Sequence, residues 1–126
     1  MSRTFVFASA LEPVAAARAV AVTPAQPDLC VISPSASARE TAAFAVNGRW
    51  VFTVQEPLLA ARAPAESGAD VVARFAQALR GVRAYDARSL LIVCDGLDIL
   101  GASTFVLDEA GLMRLADDLE RALPLP

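Results

Sequence analysis

A chain of 126 residues can bury one hydrophobic core and leaves little room for a second, so residues 1–126 are interpreted as a single domain. Hydrophobic residues make up 56% of the chain and charged residues 20%, which excludes a disordered tail or linker. The net charge of −3 gives no electrostatic footprint for nucleic acid, and we expect no nucleic-acid partner. Histidine is absent, which excludes Ser-His-Asp triads, Cys-His dyads, imidazole metal ligands and phosphohistidine chemistry.

The two cysteines and the N-terminus bear on the compartment. Cys30 and Cys94 are too few for a disulfide scaffold and lie in short apolar runs, so we expect buried, reduced thiols. No window approaches the ~18 apolar residues of a membrane span. The first residues faintly resemble a signal peptide, but Glu12 and Arg18 interrupt the apolar region that one requires. We expect a soluble, cytoplasmic protein with no membrane partner.

Strand and helix patterns alternate along the chain. The predicted strands are short apolar, β-branched or aromatic runs at residues 4–8, 29–33, 50–54 and 89–94, with a fifth candidate, at an edge, at 104–107. The predicted helices are residues 13–22, one opened by Ser37, one opened by Ser67, and one from about 108 or 111 to 123. This alternation, with apolar central strands, predicts an α/β fold: a three-layer sandwich with a mainly parallel sheet flanked by helices.

Local signals place the helix ends. Ser37 followed by Glu40 has the spacing of a capping box, and Asn47-Gly48 should end that helix. The last helix carries an inner apolar stripe of Leu112, Leu115, Ala116, Leu119 and Leu123.

The segments that follow three predicted strands carry a family resemblance. They are Ala8-Ser-Ala-Leu-Glu12, Ser33-Pro-Ser-Ala-Ser-Ala-Arg-Glu-Thr-Ala42 and Cys94-Asp-Gly-Leu-Asp98. In order and spacing they resemble the signature segments of the histidine phosphatase (phosphoglycerate mutase-like) superfamily. Glu66 and Arg74 also fall in or beside a helix similar to the one that precedes the family's last signature strand. The resemblance covers roughly residues 3 to 100 and implies a phosphoglycerate mutase-like fold.

The four positions of the family's catalytic core carry other residues in this chain. Ala8 stands at the arginine position and Ser9 at the phosphorylated histidine position, while Ser37 replaces the second arginine and Asp95 the second histidine. Asp95 would repel a phosphate dianion by ~4 kcal/mol per unit charge at about 4 Å and an effective dielectric of roughly 20. Ser9 has no His or Lys as a base. The resemblance therefore implies a pseudoenzyme with no catalytic residue, metal or cofactor, which acts as a binding or assembly module.

Three serines allow a sharper interpretation of the same region. Ser33, Ser35 and Ser37 surround a predicted helix start and could form a neutral anion nest with backbone N–H groups. In the simpler interpretation, Ser37 caps its helix and Ser33 ends a strand.

Acidic residues allow a further interpretation of the same region, as a cation site. Asp95, Asp98 and Glu12 could converge and bind Mg²⁺ or Ca²⁺, or they are solvated loop acids. The alternative function is an enzyme, or an anion- or metal-binding protein, with a site rebuilt from Ser9, Ser37, Asp95 and Asp98. A third hypothesis is an unrelated small α/β interaction domain, which the alternating pattern alone allows.

The chain is shorter than most members of the family it resembles, so surface that is normally covered is expected to be bare. Apolar patches of this kind usually mark interfaces. We therefore expect a homodimer with two-fold symmetry, with room for an unknown protein partner. The candidate surfaces are the edge at residues 104–107 and the exposed flank of the last helix. In the competing interpretation, a monomer's core takes up the apolar residues.

Overall fold

The structure, a computed structural model, describes residues 3–95 and 104–122. The strands are β1 (Thr4–Ser9), β2 (Leu29–Ile32), β3 (Phe52–Gln55), β4 (Ser89–Cys94) and β5 (Thr104–Leu107). The helices are α1 (Pro13–Val22), α2 (Ala36–Ala45), α3 (Gly68–Val82) and α4 (Glu109–Ala122), with a 3₁₀ turn at Pro57–Leu59.

The five strands form one sheet in the order β3-β2-β4-β1-β5. The first four are parallel to their neighbours, and β5 is antiparallel to β1. All six residues of β4 are buried, as expected for a central strand with helices on both sides. The predicted α/β class with a mainly parallel sheet is confirmed, and β5 lies at an edge as predicted.

Helices cover both faces of the sheet. Side chains alternate along each strand, so Phe5 and Phe7 of β1 pack with α3 and α4. Val6 and Ala8 point the other way and pack with α1 and α2. This arrangement is compatible with the predicted three-layer sandwich.

The start of α2 differs from the prediction. Ser35 is the N-cap, with extended backbone, and its Oγ accepts a hydrogen bond from the Ala38 N–H at 3.1 Å. Ser37 lies inside the first turn, so the predicted capping box of Ser37 and Glu40 is wrong. The chain turns into the helix directly after Pro34-Ser35, two residues earlier than the Ser-to-Glu spacing suggested. The end of α2 is as predicted, because Asn47 and Gly48 both take positive φ.

The third strand also begins two residues later than predicted. Its first residue, Phe52, pairs with Leu29, the first residue of β2. Trp50 therefore precedes the ladder, and 84% of its surface is exposed.

The other predicted elements fit closely. In α4, Leu112 and Ala116 are buried and Leu115 and Leu119 pack partly against the core, whereas the predicted end at Leu123 lies outside the described residues. In the part of the chain that the structure describes, no helix combines the length and apolar character needed to span a membrane.

Both cysteines are buried free thiols, as predicted. Cys30 packs on the α1–α2 side of the sheet and Cys94 on the α3–α4 side. Burial raises the pKa of Cys30 to about 11 and also raises the pKa of Cys94, so both thiols stay protonated at neutral pH.

Candidate functional site

The three segments that carry the family resemblance follow β1, β2 and β4. These strands are parallel and lie side by side in the sheet, so their carboxyl ends meet at one edge. We call the residues Ser9, Ser33, Ser37 and Asp95 at this edge the strand-end site. The sheet order thus brings together sequence segments that are up to 86 residues apart (9 to 95).

The closest contact in the strand-end site joins Ser33 and Asp95. The Ser33 Oγ donates a hydrogen bond to the Asp95 Oδ2 at 2.6 Å, a short bond typical of a charged acceptor. Ser33 is fully buried and Asp95 is half-buried. The Asp95 N–H donates to the Leu59 carbonyl at 3.1 Å, which fixes the backbone of this residue as well. The fold therefore holds the carboxylate at the position where the resemblance places a histidine.

Ala8 and Ser9 point to opposite faces of the sheet. Ala8 has no exposed surface and packs with Ala38 and Val93 in the cluster beneath α1 and α2. Ser9 is half-buried, and its Oγ accepts a hydrogen bond from the Leu11 N–H at 3.2 Å. Ala8 is thus a packing residue, and the Ser9 oxygen is bound to a donor rather than to a base.

Ser37 lies in the first turn of α2 and is half-buried. One turn further along the same helix face, the Thr41 Oγ1 donates to the Ala10 carbonyl at 2.6 Å, which ties α2 to the loop after β1. Ser35 occupies the Ala38 N–H, which is one of the donors that an anion nest at this helix start would use.

The acidic residues of the predicted cation site are only partly placed. Asp98 lies outside the described residues. Glu12 precedes α1 and is exposed. Among residues 3–95 and 104–122, no group of three or more His, Cys, Asp or Glu side chains is arranged to hold a metal ion.

Arg74 organises the loop beside the strand-end site, a role that the sequence did not reveal. Its Nε and Nη2 bind both oxygens of Glu66, at 2.9 and 2.8 Å. Its Nη1 donates to the carbonyls of Leu58 and Ala60, each at 2.8 Å. The neighbouring Leu59 carbonyl accepts the Asp95 N–H, so Arg74 holds the segment that the strand end rests on.

The same contacts change the acidity of Glu66. Hydrogen bonds from the Arg74 guanidinium, and one from the Ala63 N–H, lower the pKa of this carboxyl to about 2. The pairing joins a residue before α3 with one on its second turn, so no helical repeat in the sequence signals it.

The strand-end site thus offers hydroxyl and carboxylate oxygens and no imidazole. In hydrolase triads the carboxylate acts on the serine through a histidine, and a carboxylate alone does not replace that relay. No protein-family model matches the chain, and the search of curated proteins finds no match.

Proposed function

We propose that this chain is a catalytically inactive domain of the histidine phosphatase (phosphoglycerate mutase-like) fold that acts as a binding or assembly module. The placement of the three signature-like segments supports this proposal. They follow three neighbouring parallel strands, so they share one edge of the sheet, as an ancestral phosphate site would require.

The Ser33–Asp95 hydrogen bond is the observation that supports the proposed lack of catalytic activity. A negative side chain stands at the second histidine position, and the fold stabilises it there through a 2.6 Å bond from a buried hydroxyl. A carboxylate at this place repels a phosphate group instead of attracting it. Ser9, at the nucleophile position, accepts a hydrogen bond from Leu11, and within the described residues its hydroxyl has no hydrogen bond to a base.

The Ser33–Asp95 hydrogen bond also supports a second candidate function. A hydroxyl bound to a carboxylate at a strand end is also the beginning of a rebuilt site, for an enzyme of another type or for an anion or metal ion. In that case Ser33 and Asp95 would act together with Ser9, Ser37 and Asp98.

We also propose a cytoplasmic location and no cofactor. Two buried thiols kept in the free state fit a reducing compartment.

Phosphomonoester hydrolysis tests the proposed inactivity. We expect purified protein to hydrolyse p-nitrophenyl phosphate no faster than buffer, and Ser9→Ala and Asp95→Asn to leave that rate unchanged. Thermal unfolding of each variant controls for folding. A wild-type rate well above buffer that Ser9→Ala or Asp95→Asn abolishes would contradict the proposal and favour the rebuilt enzyme.

A further inference from the structure

The outer edge of β3 belongs to a short edge strand without charged residues. β3 pairs with β2, and no other described strand lies on its far side. Natural edges are usually guarded by charges or proline, but Phe52–Gln55 contains neither. Beside this edge Trp50 is 84% exposed and Phe52 62% exposed, with their rings in an edge-to-face contact at 5.8 Å.

We propose that this edge pairs with the same edge of a second copy of the chain, antiparallel and across a two-fold axis at Thr53. The inference rests on the proposed role in assembly and gives it a surface and a partner. The direction of the backbone groups sets the register. The Glu56 N–H donates to the Ile32 carbonyl of β2 at 2.7 Å, so alternate residues turn their amides inward. The amide groups of Val51, Thr53 and Gln55 therefore face outward and are the ones that meet a second strand.

In this register the side chains of the strand match each other. Thr53 lies opposite its own copy, and Val51 lies opposite Gln55. On the other face of the sheet, Phe52 lies opposite Val54 and diagonal to the Phe52 of the second copy. The exposed Phe52 of each chain would thus gain apolar neighbours on one continuous face.

The charges at the two ends of the segment favour a second copy in this orientation. Arg49 stands just before the apolar stretch and Glu56 just after it, and Arg49 is exposed. Antiparallel pairing places Arg49 of one copy opposite Pro57 of the other, one residue away from Glu56, at both ends of the contact. Parallel pairing would place like charges together, which is unfavourable.

The available area indicates a weak dimer. An aromatic side chain buries ~150–250 Å², so the exposed parts of Trp50 and Phe52 offer roughly 300 Å² in each copy. With the strand backbone added, the contact approaches the low end of specific interfaces, about 600 Å² per partner. We therefore expect association at micromolar concentrations rather than a permanent dimer.

The surfaces predicted from the sequence are less suited to this contact. On α4, Asp117 and Glu120 both bind Arg80, so that flank is charged rather than apolar. On β5, Val106 is 45% exposed. Because β5 lies at the opposite edge of the sheet from β3, a substitution of Val106 serves as the control.

Sedimentation velocity over a wide concentration range tests the proposal. We expect the mass of the wild type to rise from 13.2 kDa towards twice that value in the micromolar range. Thr53→Pro removes an outward-facing N–H, a position where an edge strand tolerates proline, and should weaken association by about tenfold or more. Val106→Thr should leave association unchanged.

Charge reversal tests the register. Arg49→Glu and Glu56→Arg should each weaken the dimer, and the double variant should restore much of the loss. A monomer at every concentration, or a dimer that only Val106→Thr weakens, would overturn the proposal, and the second result would assign the contact to β5. These outcomes are independent of the hydrolysis assay: an inactive monomer overturns the dimer alone, whereas an active dimer overturns the proposed inactivity alone.

Discussion

Replacing Phe7 with alanine is expected to lower the free energy of unfolding by about 3–5 kcal/mol. Phe7 has no exposed surface and lies in β1, between β4 and β5. Its ring stacks on that of Phe105 with centroids 5.0 Å apart. The substitution would leave a cavity in the core and remove an aromatic contact that holds β5 to the sheet. Since a domain is usually stable by about 5–15 kcal/mol, this loss would be a large share of the total.

Urea unfolding measures this loss as a shift in the transition midpoint at unchanged slope. Phe105→Ala is the matched control. Phe105 is only half-buried, so its truncation should cost less than that of Phe7. Equal effects of the two substitutions, or a Phe7→Ala midpoint close to that of the wild type, would contradict the described packing.

Replacing Arg74 with methionine is expected to lower the free energy of unfolding by about 1.5–3 kcal/mol, the usual range for hydrogen bonds to a charged group. Methionine keeps the apolar stem but leaves the carbonyls of Leu58 and Ala60 without their donor. The intervening Leu59 carbonyl accepts the Asp95 N–H, so the loop should also loosen at the strand-end site.

Two measurements separate this role from a general loss of charge on α3. Urea unfolding should show a much smaller effect for Arg80→Met, because Arg80 is less buried than Arg74 and its partners among the described residues are exposed carboxylates of α4. Hydrogen exchange at the Asp95 amide should speed up in Arg74→Met and stay slow in Arg80→Met. Equal exchange rates in the two variants would contradict the assigned role.

The Glu66–Arg74 pair also predicts a pH dependence. The pKa of Glu66 falls from its ordinary value of 4.5 to about 2 on folding, so its carboxylate stabilises the protein at pH values above 4.5. That contribution should fade as the pH drops through this range towards 2. Between pH 5 and pH 2, therefore, Glu66→Gln should lose less stability than the wild type. Parallel losses in both proteins would contradict the lowered pKa.

Local patterns in the sequence were sufficient for most of the fold. The bounds of α1 and β4 match the prediction, because a proline at a helix start and an unbroken apolar run are signals carried by neighbouring residues. Where two nearby positions offered the same chemistry, the predicted helix start was wrong. Ser35 and Ser37 can both cap a helix, and only the backbone direction after Pro34 decides between them.

The contacts of the strand-end site depend on tertiary structure. Ser33 and Asp95 are 62 residues apart and meet only because β2 and β4 are neighbours in a parallel sheet. Both residues are candidates in the sequence analysis, but no pattern in the sequence predicts that they bind each other. Arg74 is a similar case, since three of its hydrogen bonds go to backbone carbonyls, which leave no trace in residue identities.

The proposed function requires that the strand-end site does not bind inorganic phosphate, the group on which a phosphatase acts. A titration of ¹⁵N-labelled protein with inorganic phosphate, followed through the amide signals of Ser9, Ser33, Ser37 and Asp95, tests it most directly. We predict no saturable shift of these four signals up to millimolar phosphate, with sodium chloride of equal ionic strength as the control. A saturable shift confined to these amides, absent with chloride and strengthened by Asp95→Asn, would contradict the claim.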